Sequence, residues 1–98
     1  MVSEGCEVEG EVKHSLLFQG VCVGAGARIV DSIVMRGAVI DAGAVVERAV
    51  IAESVHVGEG ARVGEPGGEL CVLGPGSWIA PDGRVEAGES VEPNATIE

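Results

Sequence analysis

Aliphatic residues recur along this chain at intervals of five and six. Leu17, Val23, Ile29, Val34, Ile40, Val46, Ile51, Val57 and Val63 follow one another by steps of 6, 6, 5, 6, 6, 5, 6 and 6 residues. Three steps close a period of 17 residues. After an interruption at GEPGGELCV the series resumes at Leu73, Ile79, Val85, Val91 and Ile97, all six apart. Upstream, Val2, Val8 and Val12 fit with one shortened step. A second rule holds two positions before each aliphatic, where the residue is small or slim: Ser15, Val21, Ala27, Ser32, Ala38, Ala44, Ala49, Val55 and Ala61.

A helix does not produce this pattern, because it needs apolar recurrence at three and four residues and tolerates glycine poorly. Short strands separated by bends do produce it. Three strands and three bends make one triangular turn, and equivalent positions of successive turns lie about 4.8 Å apart in parallel sheets. The aliphatic and the small residue two before it point inward, into a prism about five coils long. The near-identical hexamers VGAGAR (Val23 to Arg28) and VGEGAR (Val57 to Arg62) then occupy equivalent places two coils apart, and their glycines belong to bends. The expected class is all-β. The pattern resembles the left-handed parallel β-helix of the hexapeptide-repeat families. The hand comes from that resemblance, since crossovers between parallel strands are usually right-handed.

Stacking also predicts what faces outward. Flanking Leu17, Val34 and Ile51 are Leu16 and Phe18, Ile33 and Met35, Val50 and Ala52. That is an outer apolar patch over three turns, and contiguous patches of several hundred Å² mark interfaces. A shift of phase by one residue would bury Arg28 and Arg62 instead. On another face Arg28, Val45, Arg62 and Arg84 share a column, His14, Asp31 and Arg48 share a second, and Gln19, Arg36 and Glu53 a third. Such columns read either as surface charge ladders or, at neighbouring arginines, as an anion site. Trp78 shares a column with Cys22, Val39 and His56, and GEPGGELC reads as a loop leaving the prism.

Composition agrees with a narrow core. Hydrophobic residues make up 46% of the 98, but aromatics only 2%, with 16 glycines. A net charge of −10 argues against nucleic acid or an anionic membrane as partner. No apolar run approaches the roughly 18 residues of a membrane span, and no signal peptide precedes the repeats. Cys6, Cys22 and Cys71 lack metal-binding spacing and read as reduced thiols of a cytoplasmic protein. Two histidines, His14 and His56, in different columns cannot supply the three protein ligands of a zinc catalyst. His56, in VHVGEG, has no acyl-carrier or coenzyme A signature beside it. No catalytic residue, metal site or cofactor is therefore assigned. Repeats running from Val2 to Ile97, with an apolar outer face, suggest a single domain, residues 1–98, of a longer protein.

Particular phrases narrow the family. Gly5-Cys6 opens the repeats. Ser15 to Phe18 is followed by Gly20 and Val21. Ser32 to Met35 comes one turn later, and LCVLGPGSWIAPDGRV ends the phrase set, with Ala80 before Pro81. Together these resemble the C-terminal domain of bacterial glucose-1-phosphate adenylyltransferases (ADP-glucose pyrophosphorylases). The resemblance implies a parent that makes ADP-glucose and pyrophosphate from ATP and glucose 1-phosphate for glycogen synthesis. Its nucleotidyltransferase domain, outside these 98 residues, would hold the substrates and magnesium. The β-helix would pack on that domain, support a homo-oligomer and contribute to an effector site. Leu16, Phe18, Ile33, Met35, Val50 and Ala52 become the expected interface with the catalytic domain or a sister subunit. Arg28, Arg36, Arg62 and Arg84 become the candidate effector or anion contacts, although the column of Gln19, Arg36 and Glu53 holds one basic residue in three. The alternatives are a stand-alone hexapeptide-repeat acyltransferase and the tail of another sugar-nucleotide transferase.

Overall fold

The computed structural model describes residues 5–65 and 67–97, so Val2 lies outside the described residues. Sixteen strands of two or three residues wind into three parallel sheets, and no helix occurs among the described residues. The first face stacks Glu7–Val8, Cys22–Val23, Val39–Ile40, His56–Val57, Trp78–Ile79 and Thr96–Ile97 in that order. The second stacks Glu11–Lys13, Arg28–Val30, Val45–Glu47, Arg62–Val63 and Arg84–Val85. The third stacks Leu16–Leu17, Ile33–Val34, Ala49–Ile51, Cys71–Leu73 and Ser90–Val91. The chain visits the three faces in rotation, which gives the triangular prism that the beat of six, six and five predicts.

The inward series is as expected. Leu17, Ile29, Ile40, Ile51, Leu73 and Ile79 are fully buried, together with Val21, Ala27, Ala38, Ala44, Ala49, Val55 and Ala61 at the slim positions. Burying one such aliphatic contributes about 1.5–3 kcal/mol, and the interior is filled by branched chains and alanines with no ring. The slim position fails once, at Glu89, which is exposed. Val8, whose only described strand partner is Val23, is 38% exposed.

Most bends place one residue in the left-handed region. In the six-residue steps this is often glycine, as at Gly26 (φ 72°) and Gly60 (φ 70°) of the two hexamers. Their leading glycines serve another need. A Cβ on Gly58 would lie 2.6 Å from the Ile79 carbonyl oxygen, so the next turn can approach only because no side chain is there. The five-residue steps carry His14, Asp31 and Arg48 at φ 47–49°. Asp and His tolerate this region, and Arg48 is held there by its Nε, which donates to the Gly68 carbonyl at 2.7 Å.

The tight corner leaves amide groups inside the prism that buried serines satisfy. The Ser32 amide donates to Ser15 Oγ at 3.0 Å. Ser32 Oγ donates to the Val30 carbonyl at 2.7 Å and accepts from the Ala49 amide at 3.2 Å. No buried side-chain polar atom lacks a partner among the described residues. Replacing Ser32 with Ala removes the acceptor of a buried amide, and should cost about 1–3 kcal/mol. The exposed Ser90→Ala control should stay within about 0.5 kcal/mol. Urea unfolding midpoints of the two variants check this, and equal midpoints would remove the serine pair from the account.

Candidate functional site

With the core columns fixed, every outward column is fixed too, and two of them stand out. On the third face Leu16 lies in register with Ile33, Ile33 with Val50, and Val50 with Val72. Leu16 (39%), Phe18 (46%), Ile33 (36%) and Val72 (42%) are exposed, whereas Leu17, Val34, Ile51 and Leu73 of the same strands are buried. Met35, Val50 and Ala52 are half-buried. All six residues expected at the interface therefore share one side of the prism. Val72 and Leu70 enlarge the patch and were missed by the spacing argument, because the loop before Leu73 interrupts the count. The available signal was that Val72 precedes Leu73 as Leu16 precedes Leu17.

The patch has a polar border. Phe18, Gln19, Met35, Arg36 and Glu53 line a notch of about 270 Å³ at the corner between the third and first faces. Arg36 Nη2 meets Glu53 Oε2 there at 2.9 Å, on the expected column of Gln19, Arg36 and Glu53. One end of that notch is apolar and the other is a closed ion pair.

The second face carries the basic column in the order Glu11, Arg28, Val45, Arg62, Arg84. Of the four candidate anion contacts it brings together Arg28, Arg62 and Arg84. Arg36 stands on a different corner and is spent on Glu53. A groove of about 720 Å³ runs along this face, lined by the three arginines, Lys13, Val30, Glu47, Glu65 and Glu86 among others. Glu11 sits at one end, 3.0 Å from Lys13 Nζ and 3.5 Å from Arg28 Nε. The hydrogen bond from Lys13, and then its charge, hold the Glu11 carboxyl below the usual carboxylate range, with Arg28 pulling the same way.

On the first face His56 joins Asp41, Nε2 to Oδ2 at 2.6 Å, with both side chains partly exposed. His56 lies in register with Val39 and Trp78, as its column predicted. The pairing with Asp41 crosses from one turn to the next and was not visible in the spacing. The other histidine, His14, lies 3.7 Å from Asp31 on the tight corner. All three cysteines are free thiols. Among the described residues no group of three or more His, Cys, Asp or Glu is placed to hold a metal ion, and no helix is long and apolar enough to cross a membrane.

These features define a hexapeptide-repeat β-helix module, a rigid prism whose distinguishing chemistry lies on its outer columns. The chain belongs to the family described as GlmU-like, C-terminal hexapeptide, which matches residues 1–69. Over 40 residues it is 58% identical to the glucose-1-phosphate adenylyltransferases of Bacillus cytotoxicus, Bacillus thuringiensis (strain Al Hakam) and Bacillus mycoides. Those 40 residues are 41% of this chain and 11% of each relative, so the match spans about a tenth of the curated enzymes. The resemblance drawn from the Gly-Cys, Ser-Leu-Leu-Phe and Ser-Ile-Val-Met phrases is borne out at that level. Among solved structures, the acetyltransferase domain of PglB from Neisseria gonorrhoeae FA1090 aligns with 93% of this chain and 52% of its own, at 17% identity and a TM-score of 0.31, too slight a likeness to argue from.

The Glu11 contacts give a pH test. A lowered carboxyl pKa in the folded state adds stability above the unfolded pKa, and that stability is lost as pH falls through the lowered value. Glu11→Gln should therefore lower the unfolding midpoint slightly at neutral pH. The gap to the parent protein should close once acid has titrated Glu11. A gap that persists unchanged into acid would show that the carboxylate charge is not its source.

Proposed function

We propose that this domain is the C-terminal structural and regulatory part of a glucose-1-phosphate adenylyltransferase acting in the cytoplasm. The observation that carries the reading is the apolar column of Leu16, Ile33, Val50 and Val72, flanked by Phe18 and Met35. A prism of this width has no use for an exposed Phe or for four aliphatics in line on its outside, and a surface of that kind is covered in the working protein. The likeness to the Bacillus enzymes supports a nucleotidyltransferase domain or a sister subunit as the cover. In this reading the catalytic domain binds ATP, glucose 1-phosphate and magnesium and makes ADP-glucose for glycogen synthesis. The β-helix fixes subunit arrangement and carries no turnover of its own.

The isolated domain should self-associate through this face. Sedimentation velocity on Phe18→Ser combined with Met35→Ser should find a more monomeric and more soluble protein. An association state that does not move would remove the interface.

One observation favours a second reading, a hexapeptide-repeat acyltransferase. Asp41 beside His56 is an arrangement that orients an imidazole as a general base. Acetyl transfer from coenzyme A that disappears in His56→Ala would establish it and displace the first reading. Absence of transfer leaves the pair as a tie between two turns.

A further inference from the structure

Two corners frame the apolar column, and the same register orders both. At the start of the third-face strands the corner residues are His14, Asp31, Arg48 and Leu70, turn by turn. At the end of those strands they are Gln19, Arg36, Glu53 and Pro75. Each corner thus runs from a polar residue through two opposite charges to an apolar residue. The order of the charges is reversed between them: Asp31 precedes Arg48, whereas Arg36 precedes Glu53. Two arginines offset two carboxylates, so these corners are neutral in a chain of net charge −10. A net charge of that size keeps copies of a protein apart, and the third face is where that repulsion is weakest.

We propose that the cover of the apolar column is a second copy of this chain, packed face to face about a two-fold axis parallel to the prism, with the coils of both copies level. This rests on the reading of that column as an interface, and adds the partner and its register. Such an axis sets the start corner of one copy against the end corner of the other, turn by turn. Arg36 then faces the partner's Asp31, and Glu53 faces the partner's Arg48. His14 faces the partner's Gln19, and Leu70, which is 50% exposed, faces the partner's Pro75. Between the corners Leu16 meets the partner's Phe18 and Ile33 the partner's Met35. Every contact occurs twice, as a two-fold interface requires. Facing sheets lie about 10 Å apart, a gap filled by these apolar side chains from both copies. Arg48 uses its Nε on the Gly68 carbonyl, which leaves its Nη groups for the partner. A two-fold axis across the prism fits less well, because it sets each corner against itself. Centred on a turn, it opposes Arg36 to Arg36 or Glu53 to Glu53. Centred between those turns, it matches the charges but sets Leu70 on His14 and Pro75 on Gln19, apolar against polar.

The test is sedimentation equilibrium on the whole chain and on two charge reversals. Arg36→Glu sets carboxylate against carboxylate across the interface, and Asp31→Arg sets guanidinium against guanidinium. Each should weaken its homodimer about tenfold, since each disturbs two copies of one exposed charge contact. An arginine fits at residue 31, because Arg48 occupies the equivalent corner at φ 49° against 48° for Asp31. An equal mixture of the two variants should recover the parent affinity within about threefold. Only in the level, parallel arrangement does mixing restore both contacts, one of them inverted. Recovery on mixing also shows that both variants are folded. The milder Arg36→Gln and Asp31→Asn, alone and combined, keep the test open should a reversal fail to fold. They remove the same contact, so their losses should not add. Additive losses, or folded reversals whose mixture recovers nothing, overturn the proposal. A trimer overturns it in favour of a three-fold axis. A parent chain that stays monomeric overturns it in favour of the nucleotidyltransferase domain as the cover. If Phe18→Ser with Met35→Ser dissociates the chain while mixing recovers nothing, the interface stands and only the partner's register falls. If that double variant leaves association unchanged, the interface itself falls.

Discussion

Everything in this prism depends on register, the rule that a residue of one turn sits on its equivalent in the next. The rule is enforced from inside. Ile29 rests on Val12 and Val46 on Ile29, through backbone hydrogen bonds of a parallel ladder. A slip of one residue would exchange Ile29 for Arg28 in a fully buried aliphatic interior, and strand alternation makes such a slip all-or-none. Close approach at the corners tightens the constraint. Gly58 can pass under Ile79 only because it has no side chain. The hexamers VGAGAR and VGEGAR are alike because both meet the same three demands: an inward valine, a glycine at a close approach, and a glycine in the left-handed bend.

Inner register then organises the outside without further cost. Once Leu17, Val34, Ile51 and Leu73 are stacked within, Leu16, Ile33, Val50 and Val72 must stack without. Four residues separated in sequence become one continuous surface. The same mechanism sets Arg62 against Arg84. A globular domain would separate or neutralise two such arginines by choice of rotamer or loop. A stacked sheet cannot, because the position of each side chain is inherited from the core.

The fold was legible because its signal repeats. Each turn states the inward aliphatic and the slim residue independently, and one exception such as Glu89 does not disturb the phase. The outward apolar patch was legible for the same reason as far as Ala52. It was lost at Val72, where five additional residues shift the count. Interactions that depend on where a side chain turns were less accessible. The pairing of His56 with Asp41 depends on side-chain reach across a turn, and the serine relay from Ser15 to Ser32 to Ala49 depends on amides left over at a corner. Spacing names the neighbours in a column but not which of them turn toward one another. The arginine column and the place of Arg36 on a separate column with Gln19 and Glu53 were both foreseen, but not that Arg36 closes on Glu53.

The corner between Val63 and Cys71 shows what such an architecture can absorb. The chain leaves the prism after Gly64 and returns with Leu73 seated on Ile51 and Val72 on Val50, as if nothing had intervened. The excursion touches two surfaces at once. Glu65 stands at the rim of the arginine groove, while Leu70 emerges beside the apolar column. A single segment thus borders both outer features while the inner stack keeps its phase. Changes in its length or composition would alter the edges of both outer surfaces together while leaving the scaffold untouched.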